Sequence, residues 1–388
     1  MIRFLIATAQ LAVIVALSAC ASRLTVERPV DLLADDKFLP LKTKITAADV
    51  FAVDDSMRKY LRANFVETIT DSGARDTLVD ALFNKGQLRL DYDAAVTRNA
   101  SETFHARSGN CLSLTIMAAA LARELGLTVF FQRIASEQSW GRRDDLHMTI
   151  GHVNLVVGER IASTRSRLGQ NALHTIDFMR FEENHILSTQ LISEQTILAM
   201  YMNNRAVEVL ADGDADQAYW LVREALNHDP QFTASYITLG VIYRRHGDLP
   251  QAEAVLNHVL KREPANTLAL SNLVTVLNDQ GRQLEAKPWV QKLAAAQPYP
   301  PFYYFDLGRN AMQSGHYRVA RDFFAQELYR SANNHEVHFW IASAYYRMGD
   351  FGRAKTHLDL AMDFSPTHKD RNLYAAKLEA LQSPRAHQ

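Results

Sequence analysis

Cys111, His152 and Asp177 are the side chains of this 388-residue chain whose types and order could carry out a bond-breaking reaction. Cys111 stands in "SGNCLSLT" (108–115), directly after a Gly-Asn pair. Behind it Leu114, Met117, Ala118, Leu121 and Leu125 recur at helical spacing until Gly126 stops the pattern. The thiol therefore falls in the first turn of a helix with a buried face. Unpaired backbone N–H groups and the helix dipole favour an anion there, and thiolate is the nucleophilic form. His152 lies 41 residues on, in "HMTIGHVNLVVG" (147–158), where alternation puts His152, Asn154 and Val156 on one strand face and Val153, Leu155 and Val157 on the other. Asp177 follows 25 residues later, within "LHTIDFM" (173–179). A thiol to attack, an imidazole to take and return its proton, and a carboxylate to hold the imidazole tautomer make a triad for acyl transfer.

The same residues admit other arrangements. His147 is a rival base, on the opposite strand face from His152, so one of the two can point at the thiol. Asp144 and Asp145 are rival carboxylates, although "GRRDDL" (141–146) reads as an exposed loop. Trp140 could wall a cleft or simply pack. Cys111 could be an inert core thiol, or part of a constellation that binds without reacting. No pair among His105, His147, His174 and His185 has zinc-ligand spacing, so neither a metal nor a cofactor is expected.

Three blocks, Gly109-Asn110-Cys111, Gly151-His152-Val153 and Thr175-Ile176-Asp177, resemble in order and spacing the motifs of the transglutaminase-like, papain-related superfamily. The resemblance covers roughly 90–180. "ETFHARSGNCLS" with "GHVNLVV" looks like bacterial transglutaminase-like proteins that carry tetratricopeptide repeats behind the domain. It implies an α+β cysteine-hydrolase fold and transfer of an acyl group from an amide to Cys111, then to water or an amine. His152 would be the base and then the acid, and Asp177 its orienting group. The chain is then a cysteine peptidase or amidase, an acyltransferase, or a scaffold that only binds protein partners. The sequence departs from the family pattern in lacking Ala-Trp after His152 and Pro after Asp177, which leaves site width and substrate open. The backbone N–H of Cys111 is the candidate oxyanion donor.

The elements that must hold these residues read as mostly helical over 46–108. Thr46 caps "AADVFAVDDSMRKYLRANFVETI", and a second helix, "RDTLVDALFNKG", ends at Gly86. "TVFFQRI" (128–134) is β-branched and aromatic, a strand beside that of His152.

The second half repeats itself. Gly recurs at 213, 247, 281, 315 and 349, and Ala five residues after each, at 218, 252, 286, 320 and 354. Pro falls at 230, 264, 298 and 366, with Ala332 in the remaining place. The clearest copy, "ASYITLGVIYRRHGDLPQAEAVLNHVLKREP" (234–264), resembles the tetratricopeptide repeat, so 199–368 is expected to be five helix–turn–helix copies and 369–388 a capping helix and tail. Small residues at 240, 252, 308, 320 and 354 would let paired helices approach, Gly would take positive φ at the turn, and Pro would start the next helix. In proteins with this repeat, ligands lie on the face made by the first helix of each copy. Those positions here are Arg244, Arg245, Phe302, Phe305, Arg309, Phe339, Tyr346 and Arg347, cations and aromatics suited to an extended acidic peptide. "PYPPFYYFDLG" (298–308) reads equally well as an aromatic-rich core.

The chain opens "MIRFLIATAQLAVIVALSAC", one positive charge, an apolar run and small residues before Cys20. This reads as a secretory leader (1–19), and Leu17-Ser18-Ala19-Cys20 resembles the bacterial lipobox, in which Cys20 is lipidated. Ala21 after it resembles the pattern of outer-membrane lipoproteins, so the expected location is the bacterial cell envelope, lipid-anchored and facing the periplasm. Residues 20–44 would be the tether and 45–195 the transglutaminase-like domain. With Cys20 acylated, Cys111 has no partner for a disulfide in an oxidising compartment. A net charge of −1 and 22% charged residues offer nothing to nucleic acid, and the membrane is met through the lipid anchor alone.

Overall fold

A computed structural model describes residues 32–382 apart from 42–44, 66–72, 84–87, 89, 95, 144–145, 159–172, 179–187 and 366. The leader, Cys20, Asp144, Asp145 and His185 lie outside the described residues, as do the side chains of 135–151, including Trp140 and His147. Among the described residues no helix is long and apolar enough to cross a membrane.

The first part of the chain is α+β. Thr46 caps as expected, in a reciprocal capping box with Asp49, but the helix it opens, α1 (Ala47–Val50), is a single turn. Asp54 then accepts from the backbone N–H of Met57 at 2.9 Å and starts a separate helix, α2 (Asp55–Phe65). One long helix was expected; a carboxylate that caps a new start wins over continuation. Helix α3 (Gly73–Phe83), strand β1 (Asp91–Tyr92), helix α4 (Ala100–Ala106) and strand β2 (Ser108–Gly109) follow. Asn99 and Glu102 box the start of α4, and Arg107 ends it in the left-handed region, φ 51°.

Helix α5 (Cys111–Glu124) is buried on every side from Cys111 to Ala122. Its apolar spacing had predicted one buried face. Helices α2, α3, α4 and α6 (Glu194–Ala211) and the sheet surround it, so it is the centre of the domain. The sheet is antiparallel in the order β5-β4-β3-β6, with β3 (Thr128–Arg143), β4 (Leu146–Gly158), β5 (Leu173–Ile176) and β6 (Ser188–Ile192). Both central strands run longer than their sequence patterns, with a register shift in β3 between Ile134 and Ser139.

The second part is a helical tetratricopeptide-repeat solenoid. Its pairs are α6 with α7 (Ala215–His228), α8 (Thr233–His246) with α9 (Leu249–Arg262), and α10 (Thr267–Asp279) with α11 (Gln283–Ala296). Then come α12 (Tyr303–Gln313) with α13 (Tyr317–Arg330) and α14 (His335–Arg347) with α15 (Phe351–Asp363), closed by α16 (His368–Gln382). The five turn glycines all have positive φ, between 74° and 94°. A Cβ on Gly308 would stand 2.4 Å from the Phe324 ring, and one on Gly240 2.9 Å from Leu256, which is why small residues recur there. Pro230, Pro264 and Pro298 sit just beyond the ends of α7, α9 and α11 and stop those helices; none begins the next one.

The stack is divided. One apolar core runs from Phe38 through α5 and the sheet to Ala286, while repeats four and five have smaller cores of their own. Helix α11 buries only Ala286, carries Pro288 in its interior and scarcely meets α12. Pro298, Pro300 and Pro301, with Phe302 at φ 63°, redirect the chain at this joint. Residues 32–41 are no slack tether either. They lie packed along α7 and α8, with Phe38 6% exposed.

Candidate active site

Asn110 builds the position of Cys111. Its side chain accepts from the backbone N–H of Ser113 at 2.9 Å and donates to Thr97 Oγ1 at 2.9 Å, so it caps α5 and ties the helix to the preceding loop. Ser113 Oγ in turn accepts from the backbone N–H of Arg98 at 2.9 Å. Gly109 is required for close approach, since a Cβ there would be 2.8 Å from Ser113 Cβ and 3.3 Å from Thr103 Cγ2. Cys111 is the first helical residue, 6% exposed and in no disulfide.

The sheet supplies the partners. Register pairs Ile134 with His152 and Leu155 with Ile176, so Asp177, just past β5, falls opposite Asn154 and two residues along β4 from His152. His152 Nε2 meets Asp177 Oδ1 at 2.8 Å, with His152 only 3% exposed. Cys111 lies close enough to the same imidazole for its thiol and charge to act on it. With Nε2 on the carboxylate, Nδ1 is the nitrogen left to exchange a proton with sulfur. Burial drives the His152 pKa down, but the bond to Asp177, the Cys111 thiol and the charges of both outweigh it and push His152 up to about 9. A proton held on imidazole beside a thiol is the charge arrangement a nucleophilic cysteine uses.

Two residues at the site had been given no role in the sequence. Asn154 donates to Asp177 Oδ2 at 3.5 Å and is 3% exposed, and its place on the His152 face was already visible in the alternation of β4. Tyr92 had no local signal at all. Parallel pairing of Tyr92 with Gly109, extended by the Asp93 N–H to the Gly109 carbonyl at 3.0 Å, brings the phenol to the start of α5. There burial, reinforced by the neighbouring Cys111, raises its pKa so that the hydroxyl stays protonated.

The other histidines are elsewhere. His105 Nε2 pairs with Asp54 Oδ2 at 2.7 Å, and His174 is exposed on β5. Among the described residues, no group of three His, Cys, Asp or Glu side chains converges as a metal site.

The residues expected to bind peptide on the array serve mainly as contacts between helices. Phe302 (5% exposed) and Phe305 (0%) are core, packed with Phe324, which corrects their surface assignment; the apolar face of α12 must be covered by α13 and α14. Arg244 pairs with Asp279 at 2.7 Å, and Arg245 bonds the Leu210 carbonyl at 3.1 Å. Arg309 lies over the Trp340 ring at 5.4 Å, and Phe339 stacks on Tyr374 at 5.3 Å. Arg347 caps the Tyr317 ring at 5.1 Å and donates to its hydroxyl at 2.7 Å, while Tyr346 is 45% exposed.

The arrangement thus defines a two-part protein, an α+β domain with a Cys-His-Asp cluster in front of a helical repeat array. Residues 209–277 and 305–368 each match a family model of the tetratricopeptide repeat, and the gap between the matches falls on α11 and the divided joint. The chain is 28% identical over 178 residues to cellulose synthase operon protein C of Pseudomonas fluorescens, covering 44% of this chain and 14% of the relative. It is 29% identical over 147 residues to a TPR repeat-containing protein of Pseudomonas aeruginosa, covering 37% of this chain and 25% of that one. The chain therefore spans a quarter or less of the curated relatives it matches. Among solved structures, a thermophilic TPR protein of Thermus thermophilus is similar at 19% identity, covering 47% of this chain and 99% of that one, with a TM-score of 0.29. Tetratricopeptide repeats serve as protein-interaction modules in proteins that carry them, and two stretches of the second half of this chain match their models.

Proposed function

We propose that this chain is a bacterial cell-envelope lipoprotein, anchored through Cys20, whose α+β domain is transglutaminase-like and works by acyl transfer, while the array binds a protein or peptide partner. The observation that carries the enzymatic reading is the His152–Asp177 bond at 2.8 Å, with Cys111 beside the same imidazole. In this reading the thiol proton of Cys111 already rests on His152, and Cys111 Sγ attacks the carbonyl carbon of an amide as the thiolate. His152 then gives that proton to the leaving amine as the C–N bond breaks. Water or a second amine cleaves the thioester by the reverse proton path. Asp177 keeps Nε2 occupied so that Nδ1 does the transfer.

A second reading, a scaffold that binds and breaks no bond, is favoured by the burial of Cys111 and by the buried Tyr92 phenol beside it. Exposure to p-nitrophenyl acetate separates the two. The enzyme reading expects one burst of nitrophenol per chain, acetylation of Cys111 by mass, and slow turnover that His152→Ala removes. Acetylation at the same rate in wild type and His152→Ala, with no turnover, leaves the scaffold. Detergent-phase partitioning that survives Cys20→Ser would overturn the anchor.

A further inference from the structure

Residues 32–41, Leu-Leu-Ala-Asp-Asp-Lys-Phe-Leu-Pro-Leu, cross the seam between α7 and α8 with a short 3-10 turn at Asp35–Lys37. Side chains of the array read their main chain. Tyr243 donates to the Leu32 carbonyl at 2.9 Å, the Tyr219 hydroxyl accepts from the Ala34 N–H at 3.0 Å, Asp216 accepts from the Leu39 N–H at 2.8 Å, and Trp220 Nε1 donates to the Leu39 carbonyl at 2.7 Å. Their side chains are read as well. Asp35 accepts from the Tyr219 hydroxyl at 2.6 Å and from Arg223 Nε at 2.9 and 3.0 Å, and Lys37 pairs with Asp248, which His246 also holds at 2.6 Å. Phe38 stacks on Tyr219 with ring centroids 3.9 Å apart and planes 5° from parallel, closed in by His246 at 4.5 Å and Tyr243 at 5.8 Å.

Main-chain groups taken up by side chains of another element, with one buried aromatic anchor and charges matched on either side, are how proteins bind extended peptides. Such a seat needs no second helix or strand from its occupant. We propose that the α7–α8 seam is a peptide-binding site for an extended segment with an acidic residue, a basic residue two positions on and an aromatic next after that, and that residues 32–41 occupy it in cis. The partner it fits is a protein segment with the same acid-x-base-aromatic pattern. Tethering gives the chain's own segment an effective concentration of roughly millimolar, so a partner engages only when the cis segment lets go. The site sharpens the binding role proposed for the array and is independent of whether Cys111 reacts.

The test uses the full chain carrying Asp35→Ala and Phe38→Ala, which empties the seat, and a fluorescent ten-residue peptide of sequence 32–41. Anisotropy should show the opened chain binding at least about tenfold more tightly than wild type, with Arg223→Ala in the opened chain removing the gain and a peptide with Phe38→Ala failing to bind. An opened chain that keeps its circular dichroism yet binds no better than wild type makes the segment a fixed part of the fold and overturns the proposal. The unmodified chain gives a second readout. Amide exchange at Ala34 and Leu39 should run at least about a hundredfold faster than in α8, because a cis ligand leaves without unfolding its seat. Equal protection would overturn the proposal even if the opened variant did not fold. Failure here leaves the thiol reading and the rest of the array surface untouched.

Discussion

His152 in the α+β domain and the His338–His357 pair in the last repeat are both enclosed histidine sites, and their titrations run in opposite directions. His152 has a carboxylate on one nitrogen and a thiol beside the ring, and its pKa is pushed up to about 9. His338 and His357 have each other, Nδ1 to Nδ1 at 3.0 Å, with His338 Nε2 on the Ala332 carbonyl at 3.0 Å. Burial and then the neighbouring imidazole push His357 down to about 4, and burial lowers His338 too. Burial acts the same way at both places. The partner decides the sign, so one site is built to hold a proton and the other to refuse it.

Removing a partner should break the comparison most visibly. Asp177→Ala leaves His152 without its carboxylate, and the α+β domain should lose roughly 2–4 kcal/mol in urea unfolding at neutral pH, against less for Asp177→Asn, which keeps a hydrogen-bonding oxygen. Next comes pH. His152 is raised in the fold above an unfolded value near 6.5, so its contribution, no more than roughly 3 kcal/mol, is complete below that pH and is lost as pH rises through about 9. His357 is lowered, so its contribution is present above about 6.5 and is lost as pH falls toward about 4. Amide exchange should therefore show α14 and α15 loosening first in acid and β4 first in alkali. Phenylalanine at both 338 and 357 should flatten the acid limb, while His152→Ala should flatten the alkaline one.

A smaller effect tests the division of the core. Gly308→Ala forces a Cβ against the Phe324 ring and should cost about 1–3 kcal/mol in repeats four and five, without slowing alkylation of Cys111. Smallest of all, Lys355→Ala removes an exposed pair with Asp359 and should change stability by less than about 0.5 kcal/mol.

The array was legible because one constraint recurs. Every turn needs Gly for positive φ, and every tight pair needs a small residue, so a period of 34 appears in the letters themselves. The joint at α11 was not legible, because the glycine and alanine marks continue through it while Pro288 and the proline-rich turn change the packing. At the thiol, Gly109, Asn110 and Cys111 announced a capped helix, and β4 announced the face shared by His152 and Asn154. Tyr92 stayed hidden because its position depends on a two-residue parallel pairing with Gly109, which has no period to read. The seat for residues 32–41 was missed for a related reason. Its pairs, such as Asp35 with Arg223, lie 188 residues apart and carry no spacing signal.

Whether His152 makes Cys111 a nucleophile is read from the rate of iodoacetamide alkylation at pH 7, followed by mass on folded wild type and His152→Ala. Wild type should react at least about tenfold faster than His152→Ala, with Asp177→Asn in between, because the imidazolium that stabilises the thiolate is lost outright in one variant and weakened in the other. Equal rates in wild type and His152→Ala, both slow, would make Cys111 a core thiol and leave the chain a binding protein.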